Sequence, residues 1–174
     1  NYNITSNTPD YVAGMGHTAE AVAKKYGITR EAQDEFSVRS HQRAAAAIDA
    51  EKFEAEILPI EVEEVYVEDN VKKTRSWTVS VDEGVRRETT MEALGRLKPA
   101  FMNNGTVTAG NSSQTSDGAA FVLVVSEEML KKFNLKPIAR MVSCAVAGVE
   151  PIYMGIGPCK AVPKALAQAN LNLD

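Results

Sequence analysis

The sequence predicts an α/β fold, on three observations. Helical periodicities dominate the first fifty residues, an acidic and a basic segment with strand-like alternation follow, and after Gly105 the order becomes strand–helix–strand–helix. At 174 residues, with 44% hydrophobic and 24% charged side chains, the chain has the make-up of a globular domain or of parts of two. Its net charge of -4 argues against a nucleic-acid partner, which requires a basic face. No apolar run approaches the roughly 20 residues of a membrane span, so no membrane insertion is expected. The first residue is Asn1 and the last is Asp174, so the chain reads as a cut piece without a signal peptide.

The elements follow in order. Asn1–Asp10 is polar and reads as loop. A helix beginning near His17 or Thr18 ends at Gly27, which suits the left-handed position after a helix. Thr29 caps a second helix, with Glu31 and Asp34 in or near its positive first turn. Phe36, Ser40, Ala44, Ala47 and Ile48 recur at helical spacing and form its expected inner stripe. From Ile57 the period becomes two. Ile60 and Val62 alternate with glutamates, and Val65 and Val67 resume the alternation after Glu63-Glu64, where a bulge would absorb the slip. Glu68-Asp69-Asn70 is a turn, and Val71–Ser80 returns with Lys72, Lys73 and Arg75, giving an exposed hairpin of opposite charges. Thr89 and Glu92 suggest a capping box for a short helix that Pro99 forbids from continuing. Phe121–Val125 reads as a strand buried on both faces. Ser126 caps a helix over Glu127–Phe133 that Asn134 ends, and Ile138–Val149 reads as a second strand. A last helix carries Ala161, Ala165, Leu166 and Ala169, with Pro158 and Pro163 before it or in its first turn.

Between Asn104 and Ala120 the chain is almost wholly small: NGTVTAGNSSQTSDGAA. It lacks the Gly and Lys order of a phosphate-binding loop, and no Lys or Arg occurs between Lys98 and Lys131. Two readings fit this composition. One is a tightly packed turn; the other is a wall of backbone N–H groups and hydroxyls against which a bulky, amide-bearing ligand can lie. Gly155 and Gly157 before the last helix could host an anion, but a tight connection explains them equally well. Cys144 and Cys159 form no CxxC pair and read as structural thiols of a reducing compartment, and His17 and His41 as helix-surface residues. Two scattered histidines make no metal site.

Six blocks in order carry a family resemblance: Met15–Glu20 (MGHTAE), Thr29–Ala44 (TREAQDEFSVRSHQRA), Leu97–Phe101 (LKPAF), Thr108–Ser113 (TAGNSS), Ser116–Ala120 (SDGAA) and Met154–Pro158 (MGIGP). Together they resemble the thiolase family, in particular the middle portion of its 3-ketoacyl-CoA thiolases, and they cover nearly the whole chain. The resemblance implies a layered α/β/α/β/α fold in two similar halves with an inserted loop domain. It places residues 1–110 in that coenzyme A-binding and oligomerisation domain, 111–135 at the end of the N-terminal core, and 136–174 at the start of the C-terminal core. It implies cleavage of 3-ketoacyl-CoA by coenzyme A, as in fatty-acid β-oxidation, with coenzyme A as a substrate and no cofactor or metal. A homodimer or homotetramer in the cytoplasm is the expected setting.

In that family a cysteine thiolate takes the acyl group, while a histidine and a second cysteine move protons. Neither Cys144 nor Cys159 matches those motifs, so no catalytic residue is expected here. Substrate contacts are. Ser113 resembles the serine that bonds the pantetheine arm, and Ala109 the small residue beside it. Arg86 is similar to an arginine near the nucleotide end. Leu94 and Phe101 would flank adenine or pantetheine, and Met15 and Met154 would line the acyl end. Ala93 departs from relatives that carry a serine against the adenine. The rival readings are a biosynthetic acetyl-CoA C-acetyltransferase, a non-catalytic acyl-CoA-binding protein, and an isolated oligomerisation arm.

Overall fold

The computed structural model describes residues 13–173; the expected loop Asn1–Asp10 lies outside them. The chain forms two compact units built from interleaved stretches. The described parts of Asn1–Thr29, Pro99–Val107 and Ser113–Asp174 make the first, and Arg30–Lys98 with Thr108–Ser112 make the second.

In the first unit, helix α1 spans Met15–Tyr26. Lys24 and Lys25 sit in its negative last turn, and Gly27 closes it at φ 64°, donating its N–H to the Ala23 carbonyl. The expected end is therefore the observed one. Gly16, Glu20 and Ala23, spaced by four and three, are buried along one side. Gly16 is there for space. A Cβ at this position would lie 2.1 Å from Cγ of Phe101, so only glycine lets that ring pack onto the helix. A 3₁₀ turn over Pro151–Ile156 packs on the same helix, with the Lys25 ammonium 3.7 Å above the Tyr153 ring.

Two further helices in this unit were legible to different degrees. Glu127–Phe133 is capped by the Ser126 side chain, which accepts from the Met129 N–H, and ends at Asn134 with φ 50°, as expected. Gly157–Ala169 has Ala161, Ala165, Leu166 and Ala169 half-buried, also as expected, but Pro163 lies inside it rather than in its first turn. The helix starts earlier than its prolines suggest because it continues directly from the 3₁₀ turn.

The two expected strands of the first unit do not pair. Phe121–Val124 is 79–98% exposed, the opposite of a run buried on both faces. Such a run needs a neighbour on each side to hydrogen-bond its backbone, and among the described residues neither neighbour is present. Over Ile138–Val149 there is likewise no ladder, yet Ser143, Ala145, Ala147 and Val149 are half-buried in strict alternation. The Ser143 hydroxyl donates to the Ala165 carbonyl at 2.8 Å, laying this extended segment on the last helix.

The second unit is organised on helix α2, Arg30–Asp49. Its inner side follows the expected stripe in the C-terminal half only. Ala44, Ala47 and Ile48 are half-buried, as expected, but Phe36 is 64% exposed and Ser40 is also exposed, and Asp34, Ser37, Val38, His41 and Ala45 are buried or half-buried. In the N-terminal half the Arg30–Asp34 ion pair lies inward in place of Phe36, which hydrophobic periodicity cannot register.

Strands β1 (Ile60–Glu68) and β2 (Val71–Val79) form an antiparallel hairpin in unbroken register from Ile60↔Val79 to Glu68↔Val71. Asp69 and Asn70, at φ 54° and 59°, make a two-residue turn whose twist matches that of the strands. No bulge absorbs the Glu63-Glu64 slip. Val62, Glu64 and Tyr66 face one side, and Val65 and Val67 stay exposed on the other. The predicted charge pairing is present. Glu64 bonds Arg75 at 2.5 Å, Glu68 bonds Lys73 at 2.6 Å, and Arg75 also lies 5.4 Å from the ring centroids of both Tyr66 and Trp77.

Helix α3 is short, Met91–Gly95, and is capped by Thr90, one residue later than expected. Thr90 accepts the Ala93 N–H, while Thr89 is buried and donates its hydroxyl to the Arg86 carbonyl at 2.8 Å. Glu92 bonds Arg96 instead of reaching back.

Candidate functional site

The first half of the small-residue segment, through Ser112, is pinned rather than slack. In the second unit Thr108 is fully buried. Its N–H donates to Oδ1 of Asn111 at 2.7 Å, its hydroxyl oxygen accepts the Gly110 N–H at 3.2 Å, and its carbonyl accepts the Ser112 hydroxyl at 2.7 Å. Nδ2 of Asn111 then donates to Oδ1 of Asp34 at 3.0 Å. The other carboxylate oxygen of Asp34, itself 2% exposed, accepts from Nε of Arg30 at 2.8 Å. Nη2 of Arg30 donates to the carbonyls of Leu94 and Leu97 at 2.6 and 3.0 Å. Ala109, between two held residues, is exposed.

Three of the anticipated contact residues belong to this unit. Leu94 is buried, with Cδ2 2.5 Å from where a Gly110 Cβ would stand, so it supports the loop from beneath rather than presenting a free face. Arg86 is exposed. Its backbone is held by His41, whose Nδ1 accepts the Arg86 N–H at 3.2 Å, and by the Thr89 hydroxyl. His41 thus has a local structural task on a half-buried face. Ala93 is exposed on α3 and supplies only its N–H, to Thr90. A groove of about 310 Å³ lined by Ile48, Phe53, Ile57 and Pro59 in the same unit contains none of these residues.

The other four lie in the first unit. Met15 opens α1 and is exposed; Phe101 packs on Gly16, edge to face with the His17 ring at 6.5 Å. Met154 sits exposed in the 3₁₀ turn that rests on α1. Ser113 is exposed, and its hydroxyl donates to the neighbouring Gln114 carbonyl at 3.2 Å, a weak local bond that a better acceptor would replace. Cys144 and Cys159 are both free thiols and exposed.

Glu20 was not anticipated beyond its place in a motif. Buried on α1, its carboxylate accepts the N–H groups of Thr106 and Val107, each at 2.8 Å, and the Thr106 hydroxyl at 2.9 Å. Burial pushes its pKa up, but the Val107 and Thr106 N–H groups, the Thr106 hydroxyl and nearby His17 outweigh this and hold the carboxyl below its ordinary value. Gly105 leaves room for that carboxylate, since a Cβ there would stand 2.2 Å from Oε1.

Comparison with known proteins decides the family. The family model described as "Thiolase, N-terminal domain" matches residues 5–128. The chain belongs to the thiolase family. A 3-ketoacyl-CoA thiolase of Bacillus subtilis is 51% identical over 175 residues, covering 100% of this chain and 45% of the relative. Two crystal structures agree in fold. The acetyl-CoA acetyltransferase of Bacillus anthracis superposes with a TM-score of 0.79 at 43% identity, over 91% of this chain and 38% of that one. The human mitochondrial 3-ketoacyl-CoA thiolase in complex with CoA gives 0.78 at 44%, over 91% and 37%. The fold is thus a thiolase-like α/β fold, of which this chain spans under half the length of those relatives. No helix among the described residues is long and apolar enough to cross a membrane.

The thiolase blocks seen in the sequence acquire physical content here. TAGNSS carries Thr108, Gly110 and Asn111, which hold one another; MGHTAE carries Gly16 and Glu20, which receive Phe101 and the 106–107 backbone. From sequence Asp34 is only a charge in or near the first turn of α2. Arg30 four residues before it, on the same helix face, was the available signal of a pair.

Proposed function

We propose that this chain is the coenzyme A-facing part of an acyltransferase that cleaves 3-ketoacyl-CoA with coenzyme A to acetyl-CoA and a shortened acyl-CoA, in fatty-acid β-oxidation. The observation that carries it is the 51% identity, across the whole chain, with a protein named 3-ketoacyl-CoA thiolase. Ala109, small and exposed between the buried Thr108 and the half-buried Gly110, supports the same reading, because a pantetheine arm needs close approach to the backbone. Ser113 bonds the arm, Arg86 meets the nucleotide end, Phe101 offers a ring face, and Met15 and Met154 line the acyl end. These residues bind and orient; bond-making belongs to a thiolate and proton-transfer groups supplied elsewhere in the enzyme. Residues 1–110 act as the loop domain, with 111–135 and 136–174 belonging to the two core halves. The hairpin contributes to a homodimer or homotetramer, and the setting is cytoplasmic.

The likeness to the Bacillus anthracis acetyl-CoA acetyltransferase favours a second reading, acetoacetyl-CoA formation from two acetyl units. Rates on acetoacetyl-CoA against longer 3-ketoacyl-CoA substrates separate the two: a long-chain preference supports degradation, and activity on the C4 substrate alone supports condensation. Ser113→Ala in the full-length protein is expected to weaken coenzyme A binding by about 0.5–1.5 kcal/mol, the worth of one neutral hydrogen bond. An unchanged KM for coenzyme A in that variant removes Ser113 from the site.

A further inference from the structure

We propose that Asp34 is a positioning residue for coenzyme A, acting through Asn111 to set the backbone on both sides of Ala109. The proposal rests on the coenzyme A reading of the Ala109 wall. Three features carry it. First, Asp34 is 2% exposed and both of its carboxylate oxygens are engaged, one by Arg30 and the other by Asn111. Second, Asn111 uses the two ends of its amide in opposite senses, donating to Asp34 and accepting from the Thr108 N–H. That polarity is dictated by the carboxylate: an acceptor at residue 34 forces Nδ2 inward, which leaves Oδ1 for Thr108. Third, Thr108 passes the constraint on, because its hydroxyl takes the Gly110 N–H and its carbonyl the Ser112 hydroxyl. The residues before and after Ala109 are thereby fixed by a carboxylate that lies on α2 and is anchored through Arg30 to the end of α3.

A buried relay of this kind is directional, which makes it testable by swapping its ends. With Asp34→Asn, an NH₂ group must face either Arg30 Nε–H or Asn111 Nδ2–H, donor against donor. Asn111→Asp alone sets two carboxylates against each other. The double variant Asp34→Asn with Asn111→Asp restores a donor–acceptor pair, since the new amide donates to the new carboxylate, which still accepts from Thr108.

The experiment measures kcat and KM for coenzyme A in the thiolysis assay of the full-length protein, with Ala109→Leu as the control on the wall itself. Ala109→Leu and Asp34→Asn are each expected to raise KM for coenzyme A roughly tenfold, with kcat changed less than about twofold, and the double swap is expected to recover most of the loss. If Ala109→Leu raises KM while Asp34→Asn leaves it unchanged, or merely lowers the thermal midpoint, positioning is overturned and the coenzyme A reading stands. If Ala109→Leu leaves KM unchanged, the wall does not face coenzyme A and both fall. A double swap no better than Asp34→Asn also overturns the relay. Should Asp34→Asn not fold, Asn111→Ala carries the same test, because it frees Thr108 while leaving the Arg30–Asp34 pair intact.

Discussion

Glu20→Ala is expected to destabilise the protein by roughly 3–5 kcal/mol, because it strips the acceptor from two backbone N–H groups and a hydroxyl at once. Each donor left unpaired away from water costs about 1–3 kcal/mol, and bonds to a charged acceptor are at the strong end of the range. Equilibrium denaturation measures the total, and amide exchange at Thr106 and Val107 localises it. A loss under about 1 kcal/mol would show that water or a neighbouring acceptor takes over. Glu20→Gln should cost less, since one oxygen still accepts, although its NH₂ then faces a donor.

The same residue confers an acid dependence of definite sign. Its folded-state pKa is below the ordinary glutamate value of about 4.3, so the unfolded chain binds more protons between those two values. Stability from Glu20 is therefore fully present above about pH 4.3 and is lost as pH falls through the lower, folded-state value. Wild type and Glu20→Gln should accordingly differ most near neutrality and converge in acid. A gap that widens as pH falls would contradict the assigned direction.

Gly16→Val is expected to cost about 3 kcal/mol, against the usual gain from removing glycine from a helix. Replacing a helical glycine stabilises by up to about 1 kcal/mol, less for a β-branched residue. Overpacking costs about 1–3 kcal/mol and occasionally more. Here the added Cβ would fall 2.1, 2.2 and 2.4 Å from three atoms at the base of the Phe101 ring, so the whole side chain must leave its place. Sterics win. The double variant Gly16→Ala with Phe101→Ala, which removes all three clashing atoms, should show a smaller loss than the sum of the two single variants, a coupling visible in a double-mutant cycle. Strict additivity would mean that the ring and the helix do not share this contact.

Local punctuation that acts within a few residues is legible at several element ends. The Gly27 and Asn134 ends, the Ser126 cap and the Asp69-Asn70 turn all follow from side chains that satisfy or bend the nearest backbone. The opposite charges of the two segments likewise point to an acidic strand facing a basic one, which the Glu64–Arg75 and Glu68–Lys73 pairs realise. The cap of α3 slipped by one residue because two threonines stand side by side, and only the fold decides which is buried. The N-terminal half of the inner face of α2 departs from the expected stripe for a deeper reason. Apolar periodicity ranks residues by transfer energy, and it places a carboxylate outside unless its partner is known.

By itself, the sequence determined the family, through motifs in order, and the local geometry of helix ends and the hairpin turn, because these depend on short-range sterics and hydrogen bonds. It also determined that a small-residue stretch exists. Only the tertiary structure decided what that stretch is held by, since Asp34 and Asn111 are 77 residues apart and Glu20 and Thr106 are 86 apart. Strand formation at Phe121–Val125 also lay beyond sequence: β-propensity extends a chain, but a ladder requires a second backbone beside it.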